Sequence, residues 1–471
     1  MLPNRIHPLP RRTFLRSMVG SSLLFPGVLS QLLADEAGSP APSDPLLPRS
    51  SHYSPKAKRV IFLYMSGGVS HVDSWDHKPK LFSDAGKTVS VDEFQGRKGD
   101  FKMWIKRPQW DFKARGQCGT EVSSLFPHMA ECVDDLCVIR SMKSDHTNHY
   151  EATLGIHTGS FTFARPSIGS WVSYGLGTEN RNLPSFVVIA PKTPYAGGQV
   201  WASDFLPGAH QGTLVVPGSE PVANIKRRAP TSRLQELELE MMARMNQRHL
   251  AERAGNPLLN ARIKSFETAF GMQSEMPDVF DLSKESDATL KLYGLERGST
   301  KGFAWQCLVA RRLAERGVRF VELIDVGSSD NWDAHGDMLT HTPLAKNVDQ
   351  PIAGLLRDLK SRGMFEDTLV VWTTEFGRTP FNNAADARGR EHHHWVFSSW
   401  LAGAGIKPGT TYGESDDYGI HVAKDPVHVH DFHATILHLM GLNHEHLTFR
   451  HSGRDYRLTD IAGNIVKNIL S

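Results

Sequence analysis

The chain of 471 residues lacks a charge imbalance, a cysteine-rich framework and a long uninterrupted apolar run. Its formal net charge is only +2, so nothing favours nucleic acid or an anionic membrane as its main partner. The apolar stretch from Met18 to Leu33 is interrupted by Gly20, Pro26 and Gly27, and it is too short for a durable membrane span. We therefore expect no nucleic acid partner and no stable membrane span.

Only four cysteines are present: Cys118, Cys132, Cys137 and Cys307. None has the C-x-x-C spacing of zinc sites, and none lies near Ala34 to carry a lipid anchor. In an exported protein one or two disulfides are possible, and Cys118 with Cys132 or Cys137 is the nearest pairing. The spacing does not choose between these pairings.

The N-terminus carries paired arginines, Arg11 and Arg12, followed by Thr-Phe-Leu and a modest apolar segment. This pattern is typical of a twin-arginine export signal, although an amphipathic N-terminal helix is an alternative. We predict a signal peptide at 1–34 and a linker rich in Pro, Ser and Ala at 35–55. The predicted location is periplasmic or extracellular, with the twin-arginine export machinery as a partner.

Buried-strand patterns alternate with helical patterns over the rest of the chain. Continuous apolar runs predict strands at 58–65, 136–140, 185–189, 318–323, 368–374 and 397–402. Helical spacing predicts helices at 125–132, 150–157, 303–316, 351–362 and 431–440. Residues 84–117 are expected to form loops with short strands. The alternation predicts one α/β domain at 56–471, a three-layer α/β/α architecture with a mostly parallel sheet.

A change in composition marks residues from about 230 to 300 as a helical insertion. Leu234, Leu237, Met241 and Met245 recur there at helical spacing among Glu and Arg. We predict that the insertion packs over the sheet or forms a lid. The methionine-rich stripe is interpreted as core rather than as a binding surface.

Acidic residues and histidines cluster after predicted strands and before predicted helices. Open α/β sheets bind ligands at the carboxyl ends of their strands, so these side chains are candidates for one site. The candidate metal ligands are Asp73, His71, Asp333, His335, Glu375 and His392. Carboxylate and imidazole groups suit one or two divalent ions, zinc, manganese, iron or calcium, and two ions would clamp a phosphoryl or sulfuryl group. The pair His71 and Asp73 has an alternative as a polar loop with an aspartate cap.

Further polar residues near these clusters are candidates for contact with an anionic substrate. Thr147 and Asn148 precede a predicted helix whose N-terminus would stabilise an anion, or they are ordinary helix caps. His393 is a second candidate contact. Arg378 either binds the substrate's anionic oxygens through its guanidinium fork or pins the loop before Pro380.

Four motifs carry a family resemblance when they occur together. They are Ser66-Gly67-Gly68-Val69-Ser70-His71-Val72-Asp73, Trp332-Asp333-Ala334-His335-Gly336, Thr374-Glu375-Phe376-Gly377-Arg378-Thr379-Pro380 and Gly389-Arg390-Glu391-His392-His393. With the export signal they resemble the exported family called domain of unknown function 1501, commonly labelled sulfatase-like and placed in the alkaline phosphatase superfamily. The resemblance covers roughly residues 56–460. It implies an alkaline-phosphatase-like fold and an anionic ester substrate, such as a sulfated or phosphorylated glycan.

The catalytic positions depart from the superfamily pattern. Its nucleophile, a Ser, Thr or modified Cys, lies nine residues before a helix-ending Thr-Gly, and here that position is His149. No cysteine lies in a Cys-x-Pro-x-Arg setting, so formylglycine chemistry is not expected. His149 is predicted as a ligand, a phosphoryl acceptor or a general acid/base, with Thr147 as the nucleophile if the register slips by two. Direct attack by a metal-bound hydroxide is a further alternative.

The leading hypothesis is an exported metal-dependent hydrolase of phosphate or sulfate esters without the usual hydroxyl or thiol nucleophile. The alternative is a non-catalytic module on the same fold that binds metal, an anionic glycan or a partner protein. A mutase or transferase that uses the same metal pair is a third possibility.

Overall fold

The computed structural model describes residues 44–227, 229–253 and 257–471. The predicted signal peptide at 1–34 and the part of the predicted linker before residue 44 lie outside the described residues. Linker residues 44–55 contain no helix or strand and lie against the domain, since Thr178 N donates to the Leu46 carbonyl at 2.9 Å. No helix of the described residues is long and apolar enough to cross a membrane.

The described residues form twenty β-strands and nine α-helices. The strands are β1 Arg59–Met65, β2 Thr88–Phe94, β3 Arg97–Ile105, β4 Phe112–Arg115, β5 Thr120–Ser123, β6 Leu136–Lys143, β7 Phe186–Ile189, β8 Thr213–Val215, β9 Phe320–Asp325, β10 Thr368–Thr373, β11 Gly377–Arg378, β12 Phe381–Asn382, β13 His392–His393, β14 Phe397–Gly403, β15 Thr410–Tyr412, β16 Glu414–Ser415, β17 Val422–Lys424, β18 Val427–His428, β19 Phe449–His451 and β20 Arg454–Tyr456. The helices are α1 Pro79–Ser83, α2 His149–Thr158, α3 Ile168–Leu176, α4 Ser232–Glu252, α5 Pro257–Phe280, α6 Asp287–Tyr293, α7 Gly302–Glu315, α8 His341–Ser361 and α9 Val429–Leu439.

One large sheet organises the domain, with strand order β15-β6-β14-β10-β1-β9-β7-β8 and β18 beside β6. The central strand β1 is parallel to β10 on one side and to β9 on the other, which places Val60 opposite Leu369 and Phe320. Only β14 runs antiparallel to its neighbours in this sheet, within the part of the chain that is described. The carboxyl ends of β1, β9 and β10 therefore meet at one edge.

Helices cover both faces of this sheet, so the predicted three-layer α/β/α class with a mostly parallel sheet is confirmed. On one face Ile61 packs in a core with α7 and α8, for example with Leu308. On the other face Phe62 packs with α3 and α9, through Trp171 and Phe432. Burial on both faces is the reason that the strands appear in the sequence as continuous apolar runs.

Two helix predictions need correction. Helix α8 begins at His341 and passes through Pro351, at which the sequence pattern placed its start. Ala345 and Val348 continue its buried stripe into the core, and this packing outweighs the hydrogen bond that an interior proline removes. The helix predicted at 125–132 is instead the 3₁₀ helix Met129–Asp135. Within 84–117, β2 and β3 form a longer hairpin than the short strands expected there.

The insertion is helical, but the prediction that its methionine stripe is core was wrong. Met241, Met242 and Met245 are 64%, 50% and 61% exposed, and no described side chain of α4 is buried. The following helix α5 supplies the buried contacts instead, through Met272 and Met276. Helix α4 thus presents apolar side chains to solvent.

No disulfide joins the four cysteines, all of which lie in the described residues, so neither pairing considered for Cys118 is present. Cys132 and Cys137 are buried, and burial raises their thiol pKa values to about 11 and about 12. A protonated, enclosed thiol is a poor nucleophile and a poor metal ligand. These cysteines therefore act as small core side chains.

A buried carboxyl at the end of β9 makes stability depend on pH. Asp325 is 1% exposed, and it accepts hydrogen bonds from Trp332 Nε1 at 2.9 Å and Asn347 Nδ2 at 3.3 Å. Burial raises the pKa of Asp325 to about 7. In the unfolded chain the carboxyl loses its proton near pH 3.9, about 3 pH units lower. The contribution of Asp325 to the free energy of unfolding is therefore fully present below about pH 4, and it is lost as the pH rises through 7.

We expect Asp325→Asn to remove this dependence. Between pH 4 and pH 8 the wild-type free energy of unfolding should fall by up to about 4 kcal/mol more than that of the variant. Urea denaturation at both pH values measures the difference. Asp330→Asn, at a side chain 81% exposed, is the control and should behave as the wild type. Equal pH dependence in wild type and Asp325→Asn would contradict the prediction.

Candidate metal centre

The segments that follow β1, β9 and β10 meet at the carboxyl edge of the sheet, where a glycine allows them to touch. Gly67 follows β1 and has a φ of +116°, which disfavours other residues. A Cβ at this position would lie 2.7 Å from the backbone nitrogens of Trp332 and Asp333. The loop that carries Asp333 can therefore lie directly against the turn after β1.

One carboxylate at this edge is surrounded by three imidazoles. Ligand atoms of His149, Asp333 and His392 all lie within 4.8 Å of one another. His149 Nε2 is 3.4 Å from Asp333 Oδ2, and His392 Nε2 is 3.4 Å from Asp333 Oδ1. His335 joins the group, since its Nε2 is 3.0 Å from Asp333 Oδ1. The group draws on α2, β13 and the loop after β9.

Each imidazole is also held by an oxygen at its other nitrogen. The contacts are His149 Nδ1 to Glu375 Oε1 at 2.7 Å, His335 Nδ1 to Glu391 Oε2 at 2.8 Å, and His392 Nδ1 to the Thr147 carbonyl at 2.6 Å. Carboxylate and carbonyl oxygens only accept hydrogen bonds, so each Nδ1 donates, and in the neutral form of each ring the Nε2 lone pair faces the centre. Metal-ligating histidines are oriented in the same way, by an acceptor behind the ring.

The positions of the Nε2 atoms favour a bound cation. The Nε2 atoms of His335 and His392 are 2.9 Å apart, and two lone pairs at this distance repel unless a proton or a metal ion lies between them. His149 Nε2 is buried and has no hydrogen-bond partner. Three imidazole nitrogens and one carboxylate suit zinc, manganese or iron. The residues therefore fit a divalent ion.

The charges of the group reinforce one another. Burial opposes ionisation of Asp333, but the three imidazoles and Arg378 hold its pKa well below the usual range. Hydrogen bonds to Asp333 and Glu391 raise the pKa of His335 to about 9, so a bound ion would take the place of the proton on its Nε2. Burial lowers the pKa of His392. The centre is thus a carboxylate that stays ionised among imidazoles.

His149 has a rigid setting of its own. It is the first residue of α2, and its ring stacks on Tyr195 with centroids 4.1 Å apart and planes 8° from parallel. Burial favours the neutral ring, yet Asp333 and Glu375 raise the pKa of His149 above its ordinary value. Its Nε2 faces Asp333 Oδ2, whereas His335 and His392 approach Oδ1.

Residues 57–470 match the family described as Protein of unknown function (DUF1501). The chain belongs to this family. The match confirms the family resemblance that the four sequence motifs indicated. A comparison with curated proteins found no match.

Three solved structures to which this DUF1501 chain is similar come from different enzymes. Lipoteichoic acid synthase LtaP from Listeria monocytogenes is 9% identical, with 88% of this chain and 78% of that chain covered and a TM-score of 0.37. The PsFucS1 sulfatase from Pseudoalteromonas sp. is 11% identical, with 82% and 68% covered and a TM-score of 0.35. Alkaline phosphatase from the Antarctic bacterium TAB5 is 12% identical, with 83% and 99% covered and a TM-score of 0.34. All three TM-scores lie below 0.5, so these likenesses say nothing about the activity of this chain.

Glu375, predicted as a metal ligand, has a different place in the DUF1501 chain. It is fully buried, and its carboxylate accepts from Gly67 N at 2.8 Å, Tyr64 Oη at 2.9 Å and Thr374 Oγ1 at 3.0 Å. The same carboxylate accepts from His149. Glu375 therefore positions His149, because its oxygens are already used by hydrogen-bond donors.

The structure does not bring His71 and Asp73, also predicted as ligands, to the four-residue group. Asp73 is fully buried and accepts from Arg390 Nε at 2.7 Å and Ser70 Oγ at 2.6 Å. His71 Nε2 lies 2.9 Å from the Gly419 carbonyl. Both side chains therefore connect loops through these hydrogen bonds.

The arginine that was predicted to bind the anionic oxygens of the substrate is also paired within the protein. Arg378 is fully buried and donates to the carbonyls of Gly67, Gly68 and Arg390 and to Asp333, so it pins the loops, the second of its two predicted roles.

The remaining predicted contacts have structural partners. His393 is buried with its Nε2 2.6 Å from the Ile420 carbonyl. Asn148 caps α2 by accepting from Tyr150 N at 3.0 Å. Thr147, the alternative nucleophile, contributes its carbonyl to His392.

Two residues of the site were missed in the sequence. Glu391 stands directly before His392, so a carboxylate beside a predicted ligand was a usable signal for a residue that orients His335. Tyr195 lies in an irregular segment after β7, where no motif or periodicity marks it. Its stacking on His149 becomes visible only in three dimensions.

We expect Glu391→Gln to weaken metal binding without unfolding the protein. The substitution leaves the metal-facing atoms in place but weakens the hydrogen bond that orients His335. Loss of such an outer partner reduces metal affinity by about 10–100-fold. Competition with a chromogenic chelator measures the change. Glu414→Gln, at a side chain 65% exposed, is the control, and equal affinity in both variants would contradict the assignment.

Proposed function

We propose that this chain is a metal-dependent hydrolase of phosphate or sulfate esters that acts after export by the twin-arginine pathway. The observation that carries the proposal is the convergence of three Nε2 atoms on Asp333, each ring held by an acceptor at Nδ1. Histidines that bind a metal ion are oriented in this way, by an acceptor behind each ring. It supports a site built for one divalent ion.

The geometry supports different roles for the residues of the site. His335 and His392 approach the same oxygen of Asp333, and these three residues would hold the ion. Three protein ligands leave a coordination position open, which is typical of catalytic rather than structural sites. A divalent ion there would supply Lewis acidity to the ester oxygens.

His149 is the residue that we assign to proton transfer. Its Nδ1–H donates to Glu375, so its Nε2 is the atom that exchanges a proton with the substrate. In hydrolysis a water oxygen bonds to phosphorus or sulfur and the bond to the leaving oxygen breaks. His149 Nε2 would give a proton to that oxygen, and the proton of the water restores it. Stacking on Tyr195 keeps the ring fixed during this exchange.

The surroundings favour an anionic substrate. His149 begins α2, and the positive end of a helix dipole attracts anionic oxygens. His335 is 42% exposed, so the site opens to solvent on its side. Arg378 is already paired, so the ion and the helix N-terminus would bind the anion. A sulfated or phosphorylated glycan is the natural form of ester that we expect.

A second candidate function, a non-catalytic module, also has an observation in its favour. If His149 joins the other three residues as a ligand, four protein ligands close a tetrahedral site, which is typical of structural metal centres. The chain would then be a non-catalytic module. The role of His149 separates the two functions.

We expect His149→Ala to retain its metal and to lose activity. Elemental analysis should still find about one equivalent, while hydrolysis of p-nitrophenyl phosphate or p-nitrophenyl sulfate should fall by about 10²–10⁴-fold, the usual contribution of an acid/base group. Treatment of the wild type with a chelator should abolish hydrolysis, and added metal should restore it. Loss of the metal from His149→Ala, with no ester turned over by the wild type, would establish the module instead.

A further inference from the structure

Helix α4 has a face of exposed apolar side chains that the metal centre does not use. Leu237, Met241 and Met245 recur every four residues and are 46%, 64% and 61% exposed. Residues spaced by four lie on one side of a helix, so these three form a continuous stripe. We call them the α4 stripe. Large apolar residues in such a row usually mark a contact surface.

Charges beside the stripe are ordered along the helix. Four charged residues also recur at a spacing of four: Glu236, Glu240, Arg244 and Arg248. The acidic pair lies in the N-terminal half and the basic pair in the C-terminal half. Glu240 and Arg244 lie two residues on either side of Met242, and Glu236 and Arg248 lie six residues on either side.

We propose that the α4 stripe binds the α4 stripe of a second copy of this chain, in antiparallel orientation. A two-fold axis near Met242 places Glu240 opposite Arg244 of the partner subunit and Glu236 opposite Arg248 of the partner subunit. The surface is thus complementary to itself, as an isologous two-fold interface requires. A parallel arrangement would set acidic residues against acidic residues.

The ends of the helix continue the same pattern. Arg233 lies nine residues before Met242 and Glu252 lies ten residues after it, so the antiparallel pair also brings these opposite charges together. In the single chain Arg233 forms an ion pair with Glu236 at 3.2 Å, and this pair is exposed, so it costs little to rearrange.

The composition of α4 argues against a lipid surface as the occupant. Between residues 233 and 253 there are four arginines and four glutamates, so the helix has no net positive charge to attract an anionic membrane. The stripe also contains none of the residues of the metal centre. Failure of the dimer would therefore leave the proposed hydrolase untouched, and the reverse also holds.

Charge reversal on the full chain tests the proposal by sedimentation velocity over a range of concentrations. The wild type should form a dimer. Arg244→Glu with Arg248→Glu makes the flank wholly acidic, and Glu236→Arg with Glu240→Arg makes it wholly basic. Each double variant should raise the dimer dissociation constant by at least tenfold. An equimolar mixture of the two should form a heterodimer, and the quadruple variant should regain the dimer.

Apolar contact is tested separately. Met241→Glu should dissociate the dimer, whereas Ile461→Glu, at a residue 88% exposed elsewhere, should not. Circular dichroism checks that each variant keeps its helix content. A wild type that stays monomeric, a dimer that survives the arginine reversal, or a quadruple variant that stays monomeric would overturn the proposal.

Discussion

The His392→Ala variant is expected to lose its metal and, with it, ester hydrolysis. The substitution deletes one Nε2 of the centre and leaves Asp333 with one fewer partner. Removal of an outer partner alone lowers metal affinity by about 10–100-fold, so loss of a ligand should lower it by at least about 100-fold. Elemental analysis of the purified protein, before and after dialysis, measures the loss.

The neighbouring histidine provides a matched control for this experiment. His393 lies beside His392 on β13, but its Nε2 faces the Ile420 carbonyl rather than the centre. His393→Gln can still donate to that carbonyl and should retain the metal. If both variants keep their metal, or if both lose it, the assignment of the centre is wrong.

The Asp73→Asn variant is expected to lower the free energy of unfolding by about 3–5 kcal/mol, the usual cost of removing one partner from a buried ion pair. Asp73 and Arg390 are 0% and 1% exposed and lie 2.7 Å apart. Burial opposes the charge on Asp73, but Arg390 and neighbouring hydrogen bonds hold its pKa below the usual range. The variant therefore leaves a guanidinium in the interior without a counter-charge. Urea denaturation measures the effect.

A partly exposed ion pair of the same length serves as the control. Asp337 lies 2.7 Å from Arg388, whose side chain is 66% exposed, so Asp337→Asn should cost less than about 1 kcal/mol. The metal content separates the two interpretations of Asp73. Retention of the metal by folded Asp73→Asn supports the structural role, whereas its loss would restore Asp73 to the ligand set that the sequence predicted.

The fold could be predicted because its strands are buried on both faces. The run Thr368–Thr373 is buried throughout and apolar from Leu369 to Trp372, and no amphipathic element has this pattern. The prediction that the methionine stripe of helix α4 is core failed for a different reason. Its apolar spacing is that of a core helix, and only the packing of the whole chain shows that Met241 and Met245 meet solvent. Spacing along a helix defines a face but not what covers it.

The site could be predicted in part, for similar reasons. Asp333, His335 and His392 were predicted as ligands because polar residues at strand ends converge in this class of sheet. The structure brings the three together, and their role as ligands stays a prediction. Glu375 was placed at the right edge, but sequence does not distinguish a carboxylate that binds an ion from one that orients a histidine. His71 and His393 pair with the backbone carbonyls of Gly419 and Ile420, partners that no side-chain motif records.

The proposed ligands come from two distant parts of the chain, Asp333 with His335 and, 57 residues after His335, His392. A local segment of the unfolded chain holds at most two of the three, so the unfolded chain binds an ion more weakly than the complete site. Binding to the native state alone adds to the free energy of unfolding, by about 2.7 kcal/mol when the free ion is at 100 times its dissociation constant. The melting temperature measured with each candidate ion would therefore rank the metals by affinity, before any substrate has been found.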